Sequence, residues 1–150
     1  MSFERYMFNS ACNSALSNFH TVQGKLTVWG IKFDSSEQCY QYFKALFHGK
    51  QQLCTRILKQ HSALKCYKLG KRIVTSQLWR REKVDVMFHI LMHKLYQCTE
   101  FRQELLQNQG KVFTENTKNR FWDFGPSGDG LNTLGVLLHK VVLAWELDHL

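Results

Sequence analysis

At 150 residues, 44 % hydrophobic and 13 % aromatic with a single proline, the chain is too rich in core formers to be disordered and long enough for one domain with a sizeable core. Lys and Arg exceed Asp and Glu by eight, so the molecule attracts anions at long range: nucleotides, sugar phosphates or nucleic acid. No run approaches the ~18 apolar residues of a membrane span, and the richest stretch, Leu134 to Trp145, is broken by His139 and Lys140.

In chain order, the first thirty residues read as a short strand and loop, then the alternating run Leu26, Val28, Gly30 and Ile31 to Phe33, a small hairpin with Gly24 and Gly30 in its turns. From Asp34 the period turns helical. Asp34 or Ser35 caps a helix over 35–48, with Glu37 or Gln38 three residues on to complete a capping box, and Gly49 ends it. A second helix over about 50–60 turns Leu53, Ile57 and Leu58 inward, and a basic piece from Ser62 to Arg72 stops near Gly70. The longest helix starts at a Thr75 or Ser76 cap and carries the stripe Leu78, Val84, Met87, Phe88, Leu91 and Leu95. Thr99 caps a short helix over 100–108, Gly110 closes it, and Lys111 to Thr114 forms a strand leading to Glu115. Turn formers from Asp123 to Gly130 then precede a last amphipathic helix over about 131–147. The expectation is one α+β domain over 1–150, mostly helical with a few short strands.

The N-terminus, MSFERYMF, carries a glutamate and lacks a signal peptide's basic start and apolar core, so a soluble cytoplasmic protein without a membrane partner is expected. Five cysteines at irregular spacings, Cys12, Cys39, Cys54, Cys66 and Cys98, include no CxxC pair and read as reduced, mostly buried thiols. Asp85, His89 and His93 fall at i, i+4 and i+8, but the run His-Ile-Leu-Met-His lacks the glutamate of HExxH, and a polar helix face is the simpler reading. No metal and no cofactor are expected. Cys39 has no readable Cys, His and Asp arrangement around it and reads as an inert thiol.

The most informative stretch is the first helix, where Glu37, Gln41 and Lys44 recur at i, i+4 and i+7 and so project from one face. That face is either a solvated charge pair or a seat for chemistry. Trp79 beside Arg80 and Arg81 reads either as core or as a platform for a flat base carrying phosphates. The loop Gly125-Pro126-Ser127-Gly128-Asp129-Gly130, opening onto a helix start, reads either as a plain turn or as an anion seat; it is neither a Walker loop nor a dinucleotide glycine pattern.

Taken in order, Leu16-Ser17-Asn18-Phe19, Ser36-Glu37, Tyr40-Gln41, Lys44, Trp79, Met87, Lys94, Gln97, Leu105-Leu106, Glu115, Phe121-Trp122, Gly130, Asn132 and Leu134-Gly135 resemble the NADAR family. That family includes N-glycosidases acting on riboflavin biosynthesis intermediates and enzymes that remove ADP-ribose from guanine. Asn119 stands where the family usually has an aspartate, and Asp123 follows the tryptophan where it usually has a glycine.

The resemblance implies hydrolysis of a ribose C1–N bond through an oxocarbenium-like state. Glu37 would stabilise the cationic sugar and act as general base. Lys44 would serve as an amine nucleophile or as an electrostatic clamp. Asn18 and Asn132 would fix hydroxyls, Trp79 would stack on a base, and Arg80 with the Gly125 to Gly130 loop would hold phosphate. Phe19, Tyr40, Gln41, Glu115, Trp122, Asp123 and Gly130 complete the implied substrate site. The implied partner is a phosphorylated ribosyl or ADP-ribosyl substrate, including ADP-ribosylated nucleic acid. A non-catalytic ADP-ribose or nucleotide-binding module is the alternative that the changes at 119 and 123 bring forward.

Overall fold

A computed structural model describes residues 4–8, 14–115, 121–122 and 131–150. Its elements run β1 (Arg5–Phe8), β2 (Leu26–Val28), β3 (Ile31–Phe33), α1 (Ser36–Phe47), α2 (Gln51–Leu58), α3 (Ala63–Gly70), α4 (Gln77–Gln97), α5 (Thr99–Gln107), β4 (Val112–Glu115) and α6 (Thr133–Asp148). The α+β class expected from the sequence is the class observed. The chain divides into two compact units, Asn18–Cys98 and Met1–Ser17 with Thr99–Leu150.

In the unit Asn18–Cys98, β2 and β3 form the expected antiparallel hairpin, with Leu26 opposite Phe33 and Val28 opposite Ile31. Leu26, Val28 and Phe33 are buried, as alternation requires. Thr27 on the outer edge exchanges two hydrogen bonds with the Gln97 amide, each 2.7 Å, which satisfies a strand edge with a side chain. Helix α1 begins at Ser35, whose Oγ accepts from Gln38 N at 3.1 Å. It ends before Gly49, which takes φ +70.

Gln38 departs from the simple capping box. Its Oε1 accepts from Asp34 N at 2.6 Å, one residue before the cap, while its Nε2 donates to Ile57 O at 3.0 Å and Gln60 O at 2.8 Å. One buried amide therefore ties the start of α1 to two carbonyls, one in the last turn of α2 and one just beyond it. Gln38→Ala is expected to cost about 1–3 kcal/mol, because the part-buried Asp34 N and Gln60 O lose this partner together. Urea unfolding with an unchanged m-value and a lower midpoint checks this.

A core of Ala45, Cys54, Ile57, Cys66, Leu69 and Ile73 joins α1, α2 and α3. Two expected inward residues are corrected: Leu58 is 37 % exposed and Leu78 is 55 % exposed. The neighbouring residues Ile57 and Trp79 take the inward positions, and a 100° step along the helix carries Leu58 and Leu78 away from them.

In the other unit, β1 and β4 pair in parallel from Arg5 opposite Val112 to Phe8 opposite Glu115, and α6 packs on β4. Glu104 on α5 accepts from Ser14 Oγ and, at 3.2 Å, from Ala15 N, fixing these two residues. Among the described residues no helix is long and apolar enough to cross a membrane.

Candidate active site

The start of α1 is fixed from two directions. Asn18 O accepts from Glu37 N at 2.9 Å, and Asn18 Oδ1 accepts from Ser36 Oγ at 2.9 Å. Lys94 on α4, with 0 % of its surface exposed, donates from Nζ to Ser36 Oγ at 3.3 Å. Asn18 Nδ2 points to Met87 Sδ at 3.7 Å. The Asn18 amide that the family resemblance assigned to substrate hydroxyls is thus already engaged in holding the first turn of α1.

That turn delivers Glu37 into a buried position, 7 % exposed. One turn later, Gln41 Nε2 donates to Glu37 Oε1 at 2.7 Å. The half-buried Lys44 is two turns along the same face. Burial lowers the pKa of its ammonium; the charge of Glu37 pulls it back up, and Lys83 on α4 pushes it down again. Lys83 is itself lowered, by burial first and then by Arg80. Glu37, Gln41 and Lys44 fall on one helix at i, i+4 and i+7, and Lys83, on another helix, acts on Lys44 in a way that spacing within α1 had no means of showing.

Tyr40, also buried, is raised by burial and by the charge of Glu37, while a hydrogen bond from Trp79 pulls it down. Its ring lies 5.5 Å from that of Trp79. Trp79 is 1 % exposed and also meets Phe47 at 5.3 Å and His48 at 5.9 Å. Of the two readings of Trp79, core or stacking platform, the burial of the indole among aromatic neighbours fits the first. His48 anchors this cluster, pairing through Nδ1 with Lys44 O at 2.7 Å and accepting at Nε2 from Ser76 N at 3.0 Å. That pair of contacts sets the Nδ1–H tautomer.

Arg80 is exposed, and its guanidinium donates to Thr75 O at 2.9 Å. Phe19 is half-buried, 6.2 Å from Tyr67. Cys39 is buried and its thiol is raised far above the ordinary range by desolvation, and Cys66 is pushed up to about 11 by burial first, then by Glu37 and Asp34. Neither is a ready thiolate.

The remaining expected site residues belong to the other unit. Glu115 is buried at the end of β4. Asn132 takes φ +53 and donates from Nδ2 to Phe113 O at 3.0 Å. Trp122 meets Phe121 edge to face at 4.9 Å. The first two amides of α6 donate to backbone carbonyls, Thr133 N to Phe121 O at 3.3 Å and Leu134 N to Trp122 O at 2.8 Å. Asn119, Asp123, Gly130 and the whole Gly125 to Gly130 loop lie outside the described residues. Among the described residues no cluster of His, Cys, Asp and Glu could hold a metal, and Asp85, His89 and His93 form none.

Two known proteins place this arrangement in context. Over 100 residues the chain is 29 % identical to Protein irg-1 of Caenorhabditis elegans, covering 63 % of this chain and 47 % of that protein, so it spans about half the length of the curated relative it matches. The NMR structure of the Escherichia coli protein YbiA superposes with a TM-score of 0.84 at 25 % identity, covering 99 % of this chain and 89 % of that one. A family model described as the NADAR domain matches residues 5–142, nearly the full length, and the chain belongs to the NADAR family.

Proposed function

We propose that this protein is an N-glycosidase that hydrolyses the ribose C1–N bond of a phosphorylated ribosyl-base substrate, either ADP-ribosylated guanine or a ribosylamino-pyrimidine phosphate of the riboflavin pathway. One observation carries the reading: the buried Glu37 carboxylate is held by Gln41 at 2.7 Å and shares its field with a lysine whose ammonium is destabilised. A carboxylate of this kind stabilises positive charge at C1 and takes the proton from the attacking water. Water oxygen bonds to C1, the C1–N bond breaks, and the leaving nitrogen gains a proton.

Lys44 acts in one of two protonation states, each with its own signature. As the free amine it attacks C1, displaces the base and forms a Schiff base with the opened sugar, which water then releases. As ammonium it clamps the charges of Glu37 or the substrate. Lys83→Gln separates the two. Removing a like charge raises the Lys44 pKa, so an amine nucleophile loses rate at neutral pH and the rising limb of the pH profile moves upward. An ammonium clamp instead keeps its activity to higher pH. Borohydride trapping of a sugar adduct on Lys44 accompanies the first result and is absent from the second.

The deciding assay is mass spectrometry of products released from an ADP-ribosylated guanine oligonucleotide, with a ribosylamino-pyrimidine phosphate in parallel. Free ADP-ribose or ribose phosphate, lost in Glu37→Gln, supports the glycosidase and names the substrate. Tight ADP-ribose binding with no release from either substrate would sink it in favour of a binding module.

A further inference from the structure

The Gln41 side chain is buried and only half satisfied. Nε2 donates to Glu37 Oε1 at 2.7 Å, but Oε1 accepts from none of the described residues. Rotating the amide would set its carbonyl against a carboxylate, so the charge of Glu37 dictates which end points where. The oxygen is thereby left facing Gly70, the last residue of α3. A Cβ at Gly70 would stand 1.7 Å from Gln41 Oε1 and 2.5 Å from Cδ, with no room for either atom. Backbone conformation does not explain this glycine, since it is helical and absent from the positive-φ glycines 24, 30, 49 and 110. Alanine is ordinarily the better helix former. What position 70 requires is the missing Cβ.

We propose that Gly70 is a positioning residue for Glu37, acting through Gln41: the bare Cα of α3 admits the amide oxygen and so holds Nε2 on the carboxylate. The inference rests on the reading of Glu37 as the reacting carboxylate. A donor on the carboxylate favours its charged form and fixes its rotamer, both of which a base beside C1 needs.

The test pairs an NMR titration of the Glu37 side-chain carboxyl with kcat on the cleaved substrate, in Gly70→Ala, Gln41→Ala and the double variant. In Gly70→Ala the new methyl pushes the amide aside, so the Glu37 titration and the acidic limb of kcat move to higher pH and kcat falls about tenfold with KM little changed. Gln41→Ala gives the same shift. The double variant shifts no further than Gln41→Ala, because the methyl enters space the amide has left. Wild-type titration and kcat in Gly70→Ala, or losses that add in the double variant, overturn the proposal. If Gly70→Ala fails to fold, folding regained on adding Gln41→Ala supports it and continued failure overturns it. Should wild type cleave neither substrate, the glycosidase reading falls by that result alone, and the carboxyl titration still decides the link from Gly70 to Glu37.

Discussion

Glu37→Gln is expected to lower kcat by about 100-fold or more, the ordinary contribution of a positioned general base, corresponding to about 2.7 kcal/mol of barrier. The substitution is nearly isosteric and keeps an oxygen for Gln41 Nε2, which lies 2.7 Å from the present carboxylate. Folding should therefore change little while the negative charge beside C1 disappears. Ligand binding should survive: ADP-ribose at 100 times its dissociation constant should still stabilise the variant by about 2.7 kcal/mol, as it does wild type. The variant thus separates chemistry from binding. Undiminished turnover in Glu37→Gln would remove the general-base role, whereas equal ligand-induced stabilisation with no turnover in either protein would identify a binding module.

Much of the candidate site was legible because it lies on one helix with a strong start signal. Ser35 caps, Gln38 returns a bond, and 3.6 residues per turn then put Glu37, Gln41 and Lys44 on one face. What could not be read is what approaches that face from elsewhere. The charge of Lys83 acts on Lys44 from α4, and Gly70 of α3 makes room for Gln41; both effects depend on packing between helices whose spacing in sequence carries no register. Lys94 entered the sequence reading only through the family resemblance, and nothing in its spacing showed that it is fully buried, with Nζ donating to Ser36 Oγ at 3.3 Å. The hairpin β2–β3 was visible because its two strands alternate on either side of Trp29-Gly30. The parallel pair β1–β4 was not, since it joins two four-residue strands from opposite ends of the chain, with no local signal to name the partner.

Trp79→Ala is expected to destabilise the protein by about 3–5 kcal/mol, the range for removing a fully buried aromatic. The residue is 1 % exposed and fills the space among Tyr40, Phe47 and His48, so its removal leaves a cavity at the start of α4 and deprives Tyr40 of a hydrogen-bond donor. Trp79→Phe keeps most of the ring packing and should lose much less stability, though the Tyr40 hydroxyl still forfeits the indole N–H. A stacking platform for a base would give the reverse pattern: removal of an exposed indole costs little in a urea melt but weakens binding of the ligand directly. Melts of both variants, with ADP-ribose affinity measured on Trp79→Phe well below its midpoint, distinguish the two. A large melt shift in Trp79→Ala together with unchanged affinity in Trp79→Phe places the indole among the core residues that support Tyr40 and, through α1, the carboxylate face. A loss in Trp79→Ala under about 1 kcal/mol, joined to weakened binding, would restore the base-stacking role that the flanking arginines suggested.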